Sequence, residues 1–135
     1  MPCIPKSKSY RVTPQRQIVL DELKSVCTHP TAQQIYEMVQ KRDESVSLAT
    51  VYRSLDFLVK TGLAIRLKAR GKQARYDADL TQHCHLICKD CGKVSDCFDI
   101  KKLTINSKEI EKHGFCPCLD FLEIPGVCSN CCGDC

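Results

Sequence analysis

The chain has 135 residues, of which 43% are hydrophobic and 27% charged, with twelve cysteines and a formal net charge of +4. That length allows one compact domain or two small ones, and a divided chain of this size needs a staple beyond its apolar core. No N-terminal apolar stretch is long enough for a secretory signal or a membrane span, so the expected compartment is the cytoplasm, where clustered cysteines point to bound metal or redox sensing rather than a disulfide framework.

The charge is unevenly shared. Residues 1–76 carry 14 Lys and Arg against 6 Asp and Glu, whereas residues 77–135 carry 6 against 10. The basic half suits a polyanion, although a solvated surface can show the same bias.

In chain order, Thr13 and Pro14 read as an N-cap and a first helical residue. Ile18, Val19, Leu23 and Val26 then form an apolar stripe, predicting a helix over about 14–27. Thr31 and Gln34 have capping-box spacing, and Ala32, Ile35, Tyr36 and Val39 follow at one-face helical spacing, so a second helix is expected to end near Arg42. Ser47 caps a third helix with Val51, Leu55, Leu58 and Val59 inward, Arg53 and Asp56 outward, and Gly62 as its stop.

From Leu63 the apolar period becomes two: Leu63, Ile65 and Leu67 alternate with Ala64, Arg66 and Lys68. Arg70-Gly71-Lys72 then turns the chain toward Arg75-Tyr76-Asp77, which predicts a basic-tipped hairpin, or wing. Beyond Asp79 come Cys, His and short β-like runs, with a helical stretch near Leu103 to Lys112 and a strand from Leu119 to Ile124. The expected fold class is α+β: a winged helix-turn-helix domain over 1–79, then a small α/β metal-binding domain over 80–135.

Three short helices and a wing make a helix-turn-helix candidate, in which the third helix offers side chains to base edges. Arg53 suits a guanine edge or a phosphate and Tyr52 a thymine methyl, while Ser47, Ala49 and Thr50 lie at the helix start, where small residues permit close approach. Arg66, Lys68, Arg70 and Lys72 suit adjacent phosphates or the minor groove. An ordinary three-helix core with a charged surface would carry the same pattern.

Cys88-x-x-Cys91 and Cys128-x-x-Cys131 supply two pairs of soft ligands, the set that tetrahedral zinc takes at about 2.3 Å from each sulfur. Four thiolates leave no open coordination position, so the site is expected to be structural and to tie the start of the second domain to its end. Cys132-Gly133-Asp134-Cys135 repeats the spacing. Cys132 or Cys135 could exchange with Cys128 or Cys131, but spare thiols on a frayed terminus are the preferred reading.

His29, Asp77, His83, His85 and Asp96 flank the expected domain junction and form a nitrogen and carboxylate set that suits Fe(II) or Mn(II). Taken singly, His29 before Pro30 reads equally well as a turn residue, and His83 and His85 as surface groups beside the cysteine knuckle.

Four ordered segments resemble signatures of the ferric uptake regulator family. They are Arg11-Val12-Thr13-Pro14-Gln15-Arg16, His29-Pro30-Thr31-Ala32, the run from Ser47 to Leu55, and His83-Cys84-His85-Leu86-Ile87-Cys88-Lys89-Asp90-Cys91-Gly92-Lys93. Within the family the chain is most similar to the peroxide-responsive repressor branch. The resemblance implies a homodimer bound to a pseudo-palindromic operator in double-stranded DNA, with Arg16 added to the DNA-facing set, and it is not expected to be an enzyme. It implies structural Zn(II) on Cys88, Cys91, Cys128 and Cys131, and regulatory Fe(II) or Mn(II) on the five His and Asp residues, clamping the two domains. Peroxide is then expected to oxidise His29 or His83 and release the operator.

The alternatives are an iron- or zinc-uptake repressor that follows metal level alone, and a zinc-ribbon interaction module. A further family metal site is not expected, because Gln82, Leu119 and Asp120 stand where its histidines belong and His113 cannot replace them. Cys84, Cys97, Cys116 and Cys118 are additions to the pattern. Packing is their default reading, with a thiol switch or zinc recruitment as alternatives.

Overall fold

Each of the first three helices begins where a hydroxyl can accept one of the backbone N–H groups that helix geometry leaves over. Thr13 caps α1 (Pro14–Lys24), Thr31 caps α2 (Ala32–Gln40) in a complete capping box with Gln34, and Ser47 caps α3 (Leu48–Lys60). The structure, a computed structural model, describes residues 10–68, 73–99, 105–117 and 122–133.

Helix ends depart from the sequence expectation. α1 stops at Lys24 rather than near residue 27, because Ser25 N–H bonds to the Asp21 and Glu22 carbonyls while its hydroxyl also donates to Glu22 O. Val26 therefore lies beyond the helix, half-buried. α2 stops at Gln40 rather than Arg42, and the Gln40 side chain donates to the carbonyls of Glu44 and Val46, holding the connection to α3. α3 ends as expected at Gly62, whose φ of 75° lets Leu63 N–H reach Leu58 O at 2.8 Å and Gly62 N–H reach Val59 O at 3.2 Å. These two bonds are the Schellman arrangement that glycine favours.

The helices pack around Val19, Leu20, Leu23, Ile35, Val39, Val51, Leu55 and Leu58, all nearly inaccessible to solvent. On α3 the residues Ala49, Tyr52, Arg53, Asp56 and Lys60 follow the i, i+3, i+4 spacing and are all exposed, so one stripe is core and the opposite one is free. β1 (Ile65–Leu67) pairs antiparallel with β2 (Arg75–Asp77), with Arg66 opposite Tyr76. The expected turn at Arg70-Gly71-Lys72 lies outside the described residues. Three helices followed by this hairpin form a winged-helix unit.

The chain divides into two compact units after Leu80. In the second, β3 (Cys84–Cys88) is central, antiparallel to β4 (Val94–Cys97) and parallel to β5 (Glu123–Gly126). α4 (Ser107–Glu111), capped by Asn106, falls within the expected helical stretch, of which residues 103–104 lie outside the described residues. The expected strand from Leu119 to Ile124 is found further on, as β5, with residues 118–121 outside the described residues. A last short helix, α5 (Ser129–Cys132), has no counterpart in the sequence reading. Among the described residues of this unit the buried hydrophobic side chains are Cys84, Ile87 and Cys88. Among the described residues, that burial gives three strands little apolar support.

Candidate functional site

The β3–β4 hairpin turns on Cys88-x-x-Cys91. Gly92, at φ 75°, donates its N–H to Cys88 O at 2.9 Å, and Cys88 N–H bonds to Lys93 O at 2.9 Å. The second Cys-x-x-Cys pair is built on the start of α5, where Cys131 N–H bonds to Cys128 O at 3.0 Å. The parallel pairing of β3 with β5 brings the two pairs together. Cys128 N–H donates to Cys88 Sγ at 3.3 Å, Cys91 Sγ lies 3.7 Å from Cys128 Sγ, and all four sulfurs lie within 4.8 Å of one another.

Sulfurs at the corners of a zinc tetrahedron are separated by about 3.8 Å, the edge set by a bond of about 2.3 Å. The observed cluster therefore fits such an ion. The N–H groups of Cys128 and then Cys91 pull the Cys88 thiol down to about 6, while hydrogen bonds with Cys128 and then Cys91 push Cys131 up to about 12. Negative charge thus concentrates first on the sulfur that backbone donors solvate, and metal loading displaces the protons that remain.

Two further groups of donors stand on their respective units. In the winged-helix unit, Thr31 bridges to Arg75, Tyr76 N–H bonds to Pro30 O at 3.0 Å, and Arg75 Nη1 donates to His29 O at 3.1 Å. These contacts hold the His29 loop along β2 and place His29 Nε2 at 3.4 Å from Asp77 Oδ2, both residues being buried. His29 takes φ 52°, the sole positive value at a non-glycine among the described residues. A residue before proline ordinarily stays extended, so this conformation stores roughly 1–3 kcal/mol that the surroundings must supply. Strain of that kind at a buried histidine argues against a simple turn residue.

In the second unit, His85 and Asp96 are directly opposed on the β3–β4 ladder, and His83 immediately precedes β3 with its ring centroid 4.5 Å from that of His85. His83 Nδ1 lies 2.6 Å from Thr81 O, which fixes it as the protonated nitrogen and leaves Nε2 as the lone-pair donor. His83 Nε2 is 3.0 Å from His85 Nε2 and 3.5 Å from Asp96 Oδ1, and His85 Nε2 is 3.6 Å from the same oxygen. Ligands about 2.1 Å from one ion lie roughly 3.0 Å apart at a right angle and 3.4 Å apart at the tetrahedral angle. The triangle has the dimensions of a shared cation's ligand shell, and both imidazoles are buried. Phe98 stacks on His83 with ring centroids 4.9 Å apart, a contact with no signal in the sequence.

Of the residues expected to face DNA, Ser47, Ala49, Tyr52, Arg53 and Lys68 are exposed, and Thr50 is half-buried. Arg53 Nη2 donates to Thr50 Oγ1 at 3.3 Å, and Thr50 Oγ1 lies 2.9 Å from Ser47 Oγ, a chain of contacts at the start of α3. Two arginines are more engaged than the sequence suggested. Arg16 stacks on Phe57 at 3.7 Å, and Arg66 pairs with Asp56 and bonds to the Tyr76 hydroxyl at 3.3 Å. Arg70 and Lys72 lie outside the described residues, as do Cys118, Leu119, Asp120 and Cys135. His113 is exposed just beyond α4 and Gln82 is exposed before β3.

The extra cysteines are sorted by the structure. Cys132 is disulfide-bonded, which corrects its reading as a spare thiol on a frayed end: α5 orders this segment, with Cys132 N–H bonded to Cys128 O at 2.9 Å. Cys84, Cys97 and Cys116 are free thiols. Cys84 is opposite Cys97 on the ladder, and burial, followed by its hydrogen bond to Cys97, pushes the Cys84 thiol up.

A winged-helix unit followed by a small sheet with a four-cysteine cluster and buried His and Asp donors defines a metal-dependent transcriptional regulator. The ferric uptake regulator family model matches residues 7–124, and the chain belongs to that family. It is 35% identical over 128 residues to the peroxide operon regulator of Bacillus subtilis, covering 93% of this chain and 87% of that one. Among solved structures it is similar to the Campylobacter jejuni peroxide stress regulator, with TM-score 0.72, 32% identity, and coverage of 89% of this chain and 90% of that one. It is also similar to the Pseudomonas aeruginosa ferric uptake regulator solved with manganese, with TM-score 0.70, 29% identity, and coverage of 87% and 90%. Members of the family are DNA-binding dimeric regulators and not enzymes. Among the described residues no helix is long and apolar enough to cross a membrane.

Proposed function

We propose that this chain is a cytoplasmic, homodimeric, peroxide-responsive repressor. Residues 1–79 read a pseudo-palindromic operator in double-stranded DNA, and residues 80–135 hold the structural zinc, three of the regulatory-metal donors and the dimer contact. Cys88, Cys91, Cys128 and Cys131 hold structural zinc. His29, Asp77, His83, His85 and Asp96 hold regulatory Fe(II) or Mn(II), and the ion favours the operator-binding form because that form presents all five donors. The observation that carries this reading is the triangle of His83 Nε2, His85 Nε2 and Asp96 Oδ1, whose edges of 3.0, 3.5 and 3.6 Å suit a first-row divalent ion.

His29, Asp77, His83, His85 and Asp96 would hold the ion, and Fe(II) there would supply the reducing equivalents for peroxide that Mn(II) would not readily supply. The chain's part is to present the imidazoles that are oxidised and to lose a donor when they are. His83 is held by its Nδ1 contact with the Thr81 carbonyl, and His29 by the strained loop along β2. Oxygen added to either ring weakens it as a ligand, and support for the operator-binding form falls. Similarity to named peroxide regulators supports this branch, and similarity to a ferric uptake regulator keeps a pure metal-level repressor as the second reading.

Peroxide added to protein loaded with Fe(II) is expected to add the mass of one oxygen to the peptide of His29 or His83 and to abolish operator binding. The Mn(II) form is expected to show neither change. Operator release by metal removal alone, with no oxidised histidine in the iron sample, would replace this reading with metal-level repression.

The DNA-facing set is Arg16, Ser47, Ala49, Thr50, Tyr52, Arg53, Arg66, Lys68, Arg70 and Lys72. Arg53→Ala is expected to weaken operator binding by about 1–3 kcal/mol, a loss of roughly 5- to 150-fold, and to relax base preference at one position of each half-site. Gel-shift titration against the operator and a scrambled duplex measures it. Equal weak binding of the wild type to both duplexes would favour a zinc-ribbon interaction module instead.

A further inference from the structure

The β3–β4 ladder carries a pair of thiols that neither metal centre uses. Cys84 and Cys97 are directly opposed in an antiparallel register, so their side chains leave the sheet on the same face, and both are free. Opposed residues of antiparallel strands have Cα atoms roughly 4.5–5.5 Å apart, inside the range of about 4.4–6.8 Å that a disulfide spans. The two thiols thus face each other across the ladder. Strand alternation puts them on the sheet face opposite His85 and Asp96, which are themselves a directly opposed pair.

We propose that Cys84 and Cys97 are a second oxidation site, a cross-strand dithiol that a hydroperoxide converts to a disulfide independently of the regulatory metal.

Accessibility sets the order of events. Cys97 is half-buried whereas Cys84 is fully buried, so Cys97 meets the oxidant first and Cys84 resolves. The Cys97 sulfur attacks the peroxide O–O bond, forming an S–O bond and releasing one water (or an alcohol), which leaves a sulfenic acid. The Cys84 sulfur then attacks that sulfur, the S–S bond forms and a second water leaves. Two thiols lose two hydrogens and two electrons, and one peroxide takes them up. The disulfide would cross-link the two strands at positions flanked by His83, His85 and Asp96, a reversible change beside the donors rather than on them. This inference goes beyond the histidine chemistry proposed above and does not need it.

The test uses the full-length dimer, zinc-loaded and with no iron or manganese added, so that metal-dependent histidine oxidation has no source. Hydrogen peroxide is added, and the chain is mapped without reduction, with fragmentation that separates Cys84 from Cys88. The expected result is loss of the mass of two hydrogens per protomer, a Cys84–Cys97 cross-linked peptide, full reversal by a dithiol reductant, and no loss of zinc. Cys97→Ser is expected to abolish the cross-link, and Cys84→Ser to leave Cys97 trappable as a sulfenic acid by a carbon nucleophile. If either variant fails to fold, the wild-type map decides. Both thiols remaining fully alkylatable after exposure would overturn the proposal. So would cross-links confined to Cys88, Cys91, Cys128 and Cys131 with release of zinc.

Discussion

Cys91→Ser is expected to leave the second unit unfolded while the three-helix unit keeps its structure. Cys91 is exposed, so the substitution removes a sulfur from the cluster without opening a cavity in a core. The described part of the second unit buries one aliphatic side chain, Ile87, with Cys84 and Cys88. Burying a side chain of that size stabilises by about 1.5–3 kcal/mol, against about 1–2 kcal/mol of backbone entropy for every residue ordered. A structural zinc ion contributes apparent binding energy of roughly 10–16 kcal/mol, which is comparable with the whole stability of a small domain. The core of the first unit, from Val19 to Ala78, has no share in that cluster.

Hydrogen exchange provides the measurement. In the variant, amides of β3, β4 and β5 are expected to lose protection, those of α1 to α3 to keep it, and zinc content to fall from one tightly held ion per protomer to none. Undiminished protection across the sheet in metal-free protein would show that apolar packing suffices and that the four sulfurs are not a staple.

His85→Ala is expected to weaken metal-dependent operator binding, with regulatory metal affinity falling about 100-fold. The consequence follows from the population arithmetic. Moving a two-state protein from 1:99 to 99:1 requires a differential affinity of about 10⁴, and a loss of about 100-fold leaves the metal-loaded protein near an even mixture. Because His85 is fully buried, Asp96→Asn serves as a second variant: it keeps the side-chain shape at a half-buried position and removes the carboxylate charge. His113→Ala is the control, an exposed histidine just beyond α4 and outside every donor group described. Mn(II) titrations of operator binding should show the response shifted to much higher Mn(II) and reduced in amplitude in His85→Ala, weakened in Asp96→Asn and unchanged in His113→Ala. Retention of the full Mn(II) response in the first two would end the assignment of these residues to the regulatory ion.

Local chemistry made much of this protein legible from its residues alone. Thr13, Thr31 and Ser47 cap the helices they were expected to cap, and Gly62 stops α3, because each of these signals acts over a single turn. The apolar spacing of α3 likewise identified its exposed stripe. The Cys-x-x-Cys pairs were readable for a related reason, since a two-residue spacing is what a tight turn or a helix start needs to aim two sulfurs at one point.

Other features depend on partners remote in sequence. The ends of α1 and α2 were set by Ser25 and by the reach of Gln40 to the Val46 carbonyl, which helix periodicity does not register. β5 pairs in parallel with β3, with His85 opposite Glu123 and Cys88 opposite Gly126, a register that no short-range pattern encodes. The engagement of Arg66 by Asp56, the stacking of Phe98 on His83 and the opposition of Cys84 and Cys97 have the same origin.

By itself, then, the sequence determined which residue types could hold metal, where three helices begin, and which face of the third is free. Those are consequences of side-chain chemistry and of the periods of 3.6 and 2. Tertiary structure alone decided the left-handed backbone of His29, held against its pre-proline preference by Arg75 and Tyr76 of β2, and the triangle of His83, His85 and Asp96. A ligand shell is a set of distances, and distances between residues far apart in a chain exist only once the strands between them have paired.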